Sequence, residues 1–282
     1  MLVISDIKET QNWCINQKSN GKKIGLVPTM GFLHEGHLQL IKKARSGCDV
    51  VVVSIFVNPI QFGEGEDYEV YPRDLNRDME LLRQERVDLL FTPGAAEMYP
   101  PGFSAAVEIQ GPITEKMCGR SRPGHFRGVT TVVSKLFNIC QPDLAFFGQK
   151  DAQQAAIVEK MVRELCIPVT IVRVPIVREK DGLAMSSRNA YLDPQQRQDA
   201  LVLSQALNLA QYAIGNGEKD VATVKRLMTE KIESVPGTVI DYIEISNGND
   251  LSELESVKGT VLLALAVKIG RTRLIDNMLV EV

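Results

Sequence analysis

No stretch of this 282-residue chain is apolar for long enough to span a bilayer. The longest run, Val261-Leu262-Leu263-Ala264-Leu265-Ala266-Val267, is the size of a strand, whereas a membrane helix needs about 20 apolar residues. The N-terminus, Met1-Leu2-Val3-Ile4-Ser5-Asp6, has no basic region leading into an apolar segment, so no secretory signal is read and a cytoplasmic location is expected. Cysteine is sparse and scattered. Cys14, Cys48, Cys118, Cys140 and Cys166 are odd in number and form no CxxC pair, which disfavours a disulfide framework or a thiolate zinc cluster. An excess of either charge is also lacking: 32 basic residues against 35 acidic ones leave a formal net charge of −3, which argues against a generally basic nucleic-acid surface but not against a local basic groove. No internal repeat or low-complexity tract is visible. The phosphate loops GxxxxGK-Ser/Thr and strand-borne GxGxxG are absent, so a P-loop NTPase and an NAD enzyme of the usual type are disfavoured.

What is present is alternation. After an opening helix over Asp6–Ser19, the patterns read strand Ile24–Val27, helix His37–Ser46 and strand Val50–Val57. Helix Leu75–Arg86 and strand Asp88–Phe91 follow. Next come helix Val129–Ile139, strand Leu144–Phe147, helix Ala152–Leu165 and strand Val169–Val174. The apolar run Val50-Val51-Val52-Val53-Ser54-Ile55-Phe56-Val57 suits a strand buried on both faces. This alternation predicts an α/β fold, a Rossmann-like, doubly wound parallel sheet covered by helices. Beyond Pro175 the pattern changes. A charged link that looks flexible, Arg178-Glu179-Lys180-Asp181-Gly182, leads to helices near Pro194–Ile214 and Val221–Ser234, then to strands Ile240–Ser246, Val261–Val267 and Arg273–Val282. Two domains are expected: residues 1–177 as the Rossmann-like part and 178–282 as a smaller C-terminal α+β domain.

Two of the three histidines lie in His34-Glu35-Gly36-His37, between a strand and a helix. The spacing i, i+3 differs from the i, i+4 of a zinc-protease helix, so zinc is disfavoured. The start of a helix offers free N–H groups and a positive dipole end, which suits a phosphate. Two imidazoles beside a glycine at that point therefore suggest chemistry on a phosphorylated ligand; a pair of cap histidines is the plainer alternative.

Other segments fit an anionic ligand, each with a bland alternative. Met185-Ser186-Ser187-Arg188 offers two hydroxyls and a fixed cation after the charged link. Phe147-Gly148-Gln149-Lys150-Asp151 lies where a strand hands over to a helix, where open parallel sheets bind ligands. Asn58-Pro59-Ile60-Gln61-Phe62-Gly63 follows the most apolar strand, and Gln61 and Gln154 are neutral amides suited to a small polyhydroxy acid. Arg120 to Arg127 gathers three arginines and His125, as an anion site or as a solvated loop.

In their order along the chain, these segments resemble the pantoate–β-alanine ligase family, the pantothenate synthetases. The resemblance rests on Pro28-Thr29-Met30-Gly31 with His34-x-Gly36-His37, Ser54-Ile55-Phe56-Val57-Asn58-Pro59 with Gln61-Phe62, Tyr71-Pro72-Arg73, and Arg122-Pro123-Gly124-His125-Phe126-Arg127-Gly128-Val129. It continues through Gln141-Pro142-Asp143, Gly148, Lys150-Asp151 with Gln153-Gln154, Asp181 to Asn189, and Leu274-Ile275-Asp276-Asn277. The wider group is the HxGH nucleotidyltransferases. Arg188 stands where that group often carries the lysine of its second signature, and Gln149 stands where the family often has glutamate.

The resemblance implies ATP-dependent joining of pantoate to β-alanine through a pantoyl-adenylate, with AMP and pyrophosphate released. His37, His34 and Lys150 would be catalytic. Met30, Gly31, Phe32, Leu33, His34, Glu35, Gly36, His37, Gly148, Gln149, Lys150, Asp151, Val177, Met185, Ser186, Ser187 and Arg188 would contact ATP. Gln61 and Gln154 would hold pantoate, and Gln61 also β-alanine. Mg2+ would accompany the phosphates on ligands that the sequence does not assign. A homodimer, a lid role for the C-terminal domain, and no nucleic-acid or membrane partner are expected. The alternatives are another HxGH adenylyl- or cytidylyltransferase and a nucleotide-binding sensor without turnover.

Overall fold

The structure is a computed structural model and describes residues 1–282. Its elements in chain order are β1 (Leu2–Ile4), α1 (Ile7–Ser19), β2 (Ile24–Thr29), α2 (Glu35–Gly47), β3 (Val50–Ile55), α3 (Leu75–Gln84), β4 (Leu89–Phe91), α4 (Ala95–Met98), α5 (Met117–Ser121) and α6 (His125–Cys140). They continue with β5 (Leu144–Gly148), α7 (Ala152–Glu164), β6 (Thr170–Val174), α8 (Pro194–Asp199), α9 (Leu201–Gly215), α10 (Val221–Glu233), β7 (Thr238–Asn247), β8 (Thr260–Ile269) and β9 (Thr272–Glu281). No helix is long and apolar enough to cross a membrane.

The chain divides into two compact units. The first comprises Met1–Ile109, Arg122–Gly148 and Ile157–Pro175; the second comprises Gln110–Ser121, Gln149–Ala156 and Ile176–Val282.

In the first unit the six strands are all parallel, in the order β1-β4-β3-β2-β5-β6. The valines of β3 are wholly or almost wholly buried, as a strand covered on both faces must be. Val27, Leu40, Ile41, Val51, Val53 and Leu90 form one side of the core. Two features escape the sequence patterns. The edge strand β1 has only three residues, two of them exposed, and exists by pairing Leu2 with Leu89. Helix α6 begins at His125, four residues before the expected Val129, because Gly124 takes the left-handed φ of +80° that turns the chain into it.

Successive strands β2, β3 and β4 are laid down on one side, and β5 and β6 on the other side of β2. The switch point of the sheet is therefore between β2 and β5, where doubly wound sheets open for ligands at the carboxyl ends of strands. The paired register between these strands stops early, at Leu26 with Ala145, although each runs three residues further. Chemistry accounts for the stop. Ile24 faces β5, since its carbonyl accepts from the Asp143 amide, while the Thr29 carbonyl accepts from Phe56 on the β3 side. Alternation then turns Pro28 towards β5, and proline has no N–H to continue the ladder.

In the second unit β7, β8 and β9 form an antiparallel sheet with Val261 opposite Val280 and Leu265 opposite both Ile243 and Asp276. Leu203, Leu207, Val224 and Met228 of α9 and α10 pack with Ile243, Leu263 and Leu265 of the sheet. The single helix expected over Pro194–Ile214 is two. Asp193 and Gln196 close a capping box on α8, which buries nothing, and the backbone tightens at Ala200, whose carbonyl accepts from Leu203, before the apolar helix α9.

Candidate active site

The turn after β2 is built by an acid that the sequence reading passed over. Asp78 of α3 is 1% exposed, and its two carboxylate oxygens accept from the amides of Phe32 and Leu33, each at 2.7 Å. Arg77 donates to the Leu33 carbonyl at 3.0 Å and lies over the Phe32 ring. Thr29 Oγ1 donates to the Ser54 carbonyl and accepts from the Gly31 amide. Gly31 has φ +84°, and a Cβ there would meet Ile55 Cγ2 at 2.9 Å and Asp78 Oδ2 at 3.1 Å, so only glycine fits. Phe32 is held in the left-handed region at φ +50°. Burial pushes the Asp78 carboxyl above its ordinary value, against the pull of its two amide donors.

That turn delivers His34 to the N-cap of α2. His34 Nδ1 accepts from the Gly36 amide at 3.1 Å, and His37 Nδ1 accepts from the His34 amide at 3.3 Å, a capping box made of two histidines. Their ring centroids are 4.1 Å apart. With each Nδ1 accepting from a backbone amide, both rings are fixed at the positive end of α2. The plainer sequence reading, a pair of cap histidines, describes the arrangement at the start of α2.

Gln61 belongs to the same unit. It is buried in a short 3-10 turn after β3; its Oε1 accepts from Asn58 Nδ2 at 3.0 Å, and its Nε2 faces Met30 Sδ at 3.3 Å. Tyr99 donates to Asn58 Oδ1 at 2.7 Å, which fixes the Asn58 amide and so the direction of Gln61. A thioether is a weak acceptor, so the Gln61 N–H2 remains a donor for a better one. Helix α6 lies directly on this turn, because a Cβ on Gly128 would come within 2.4 Å of the Ile60 carbonyl oxygen. Of the arginine-rich stretch, Arg122 and His125 are committed to structure, while Arg120 and Arg127 are exposed. Arg122 grips Glu66 with two bonds of 2.6 Å and donates to His125 Nε2, while His125 Nδ1 donates to the Gln61 carbonyl.

Gly148 ends β5 in the first unit, and the second unit holds the remaining candidates. Gln149, Lys150 and Asp151 form a 3-10 turn that runs into α7. Gln153 and Gln154 separate in role: Gln153 is buried and bonds Cys118, Ile113 and Lys116, whereas half-buried Gln154 makes none of these bonds. The link read as flexible is a closed hairpin. Met185 N–H bonds the Val177 carbonyl, Arg178 bridges to Ala184, and Glu179 pairs with Leu183 around Gly182 at φ +98°. Three of its four charges are paired, Arg178 with Asp276, and Glu179 and Asp181 with Arg197. Ser186 then caps the 3-10 turn Ser187–Tyr191 that carries Arg188.

The pantoate-beta-alanine ligase family model matches residues 2–279. The chain belongs to the pantoate–β-alanine ligase family. It is similar to the pantothenate synthetase of Syntrophomonas wolfei, with 64% identity over 282 residues and all of both chains covered, and to that of Heliobacterium modesticaldum, with 57% identity and the same coverage. Among solved structures it resembles pantothenate synthetase from Thermus thermophilus, with a TM-score of 0.94, 46% identity and 99% of both chains covered. It also resembles the pantoate-beta-alanine ligase of Francisella tularensis complexed with beta-gamma ATP and beta-alanine, with a TM-score of 0.82, 35% identity, and 99% and 97% covered.

Within this member of the pantoate–β-alanine ligase family, Asp78, Arg77 and Tyr99 shape the surroundings of the candidate residues without having been singled out by pattern. A signal for Asp78 did exist: it lies one turn before buried Leu82, on the inward stripe of α3, where an unpaired acid has no place.

Proposed function

We propose that the chain joins pantoate to β-alanine at the expense of ATP, by way of a pantoyl-adenylate. Membership of the family over the full length and the ATP and β-alanine bound by the Francisella relative support this reading. The observation in this chain that carries it is the double-histidine cap on α2, two imidazoles fixed at a helix N-terminus, with the Gln61 amide in the same unit.

The pantoate carboxylate is ionised at neutral pH, so the first step needs positioning and charge stabilisation rather than a base. A carboxylate oxygen attacks the α-phosphorus, and the bond to the β-phosphate bridging oxygen breaks with its electron pair, releasing pyrophosphate. His34 and His37 contact the phosphates and stabilise that charge as pyrophosphate leaves. Met30 to Leu33, Glu35, Gly36, Gly148, Gln149, Asp151, Val177 and Met185 line the nucleotide site, with Lys150, Ser186, Ser187 and Arg188 supplying charge and hydroxyls to its phosphates. Gln61 and Gln154 hold pantoate, orienting the carboxylate without the full charge pairing that would blunt it. In the second step the β-alanine amine, near Gln61, attacks the acyl carbon, loses a proton, and AMP leaves. Residues 178–282 serve as the lid that keeps water from the adenylate.

Mg2+ comes with its substrate as MgATP. Phosphate oxygens and water would supply most of its ligands, and no protein ligand is assigned to it. The family resemblance also leads us to a homodimer, and the need for ATP to the cytoplasm.

The test is AMP release. Formation that requires both pantoate and β-alanine supports the ligase. Pyrophosphate release with a phosphate-ester acceptor instead would identify another nucleotidyltransferase, and ATP binding without turnover a sensor.

A further inference from the structure

Two separate segments of the second unit carry the charges assigned to ATP: the turn Gln149–Asp151 and the hairpin with its loop, residues 177–188. Both are tied to one dipeptide in the middle of β9. Asn277 Nδ2 donates to the carbonyls of Gln149 and Lys150, each at 2.9 Å, and Asn277 Oδ1 accepts from Gln149 Nε2 at 3.2 Å. Its neighbour Asp276, 2% exposed, accepts from both arms of Arg178 at 2.7 and 2.9 Å. Arg178 also donates to the Gly182 carbonyl at 3.0 Å and to the Asn277 carbonyl at 3.3 Å.

Asp and Asn are poor strand residues, and burying a carboxylate with its partner adds little net stability over an apolar pair. Their placement is informative for that reason. Consecutive strand residues point to opposite faces, so one dipeptide can reach two elements at once. The carbonyls that Asn277 engages belong to a turn between a strand and a helix, and a bidentate Arg–carboxylate pair sets angle as well as distance. A single rigid strand therefore sets the spacing between the Lys150 turn and the hairpin leading to Ser186, Ser187 and Arg188.

We propose that Asp276 and Asn277 are positioning residues, Asn277 acting through Lys150 and Asp276 acting through the Met185–Arg188 loop, which together present a matched set of donors to a triphosphate. The proposal rests on the ligase reading above and adds two residues that touch no substrate.

Pantoate-dependent ATP–pyrophosphate exchange tests it in double-mutant cycles on the full chain. Asn277→Ala is expected to lower kcat/KM for ATP about 10- to 100-fold, with KM for pantoate within about 2-fold. In a Lys150→Ala background the same change should cost less than about 3-fold. Asn277→Asp, which sets a carboxylate oxygen against two carbonyl oxygens, should be worse than alanine. Asp276→Asn keeps the shape of the pair and serves if Asn277→Ala does not fold: its loss should vanish beside Arg188→Ala and persist beside Lys150→Ala. A full, additive loss in every background, or an unchanged kcat/KM for ATP in these variants, overturns the proposal. Failure of the underlying reading looks different, because the wild-type chain itself would then show no pantoate-dependent exchange.

Discussion

Replacing Asp78 by alanine tests whether the double-histidine cap depends on a buried acid in another helix. The change removes the acceptor for two amides, each bonded at 2.7 Å, one of them belonging to wholly buried Leu33. A hydrogen bond to a charged group contributes about 1.5–3 kcal/mol, so the gross loss is about 3–6 kcal/mol. Burial already pushes this carboxyl upward, so its removal relieves part of that cost, and the net loss should be about 2–3 kcal/mol. The Phe32 backbone, at φ +50° and disfavoured by about 1 kcal/mol, is then free to relax. A turn that relaxes moves His34, and a shift of about 1 Å in a phosphate donor costs on the order of 100-fold in rate. Urea melts would read the first effect and pyrophosphate exchange the second. Asp78→Asn, which keeps one acceptor and turns an NH2 group towards the other amide, should fall between wild type and alanine. Exchange within about 2-fold of wild type and stability within about 0.5 kcal/mol for Asp78→Ala would show that the turn holds without Asp78.

Gly148→Ala should separate folding from binding: a Cβ there meets no atom within 4 Å, so stability should hold or rise by up to about 1 kcal/mol, while KM for ATP rises about 10-fold or more if a phosphate approaches this backbone. An unchanged KM in an ATP titration would remove Gly148 from the site. Glu66→Gln carries a pH signature. Burial raises the Glu66 carboxyl, and the Arg122 guanidinium, through its hydrogen bond and charge, more than offsets this and holds it below the ordinary value of 4.5. The folded state therefore binds this proton less readily than the unfolded one, so the stability Glu66 contributes is present above about pH 4.5 and lost as pH falls through the folded value. Urea midpoints from about pH 7 down to about pH 3 should show a constant advantage of wild type over Glu66→Gln that shrinks only in the acid part; an advantage that grows on acidification contradicts the pairing.

How far the sequence could be read depended on the reach of each interaction. Val50 to Val53 announce a strand buried on both faces because burial there involves every consecutive residue. Edge strand β1 is too short for any period to register, and the four- and five-residue helices α4 and α5 likewise. Charges mislead when their partners are distant. Arg178 to Gly182 reads as a solvated link, yet Arg178 meets Asp276 ninety-eight positions away, and Glu179 and Asp181 meet Arg197. The histidine pair was legible as a motif because both residues lie in one turn; that they cap α2 through each other, with Asp78 behind the turn, is tertiary information.

The missing N–H of Pro28 has a consequence for how fast a ligand can bind. Any other residue at that point would bring a donor whose nearest acceptors are the carbonyls of β5, and the ladder could close by one more rung at the switch point. As it is, the carboxyl ends of β2 and β5 need no rung broken to receive a ligand, and no orphan donor is left when they do. Encounter with this part of the first unit should then be a single bimolecular event, its observed rate rising linearly with nucleotide concentration, with no slow strand-parting step to impose a plateau.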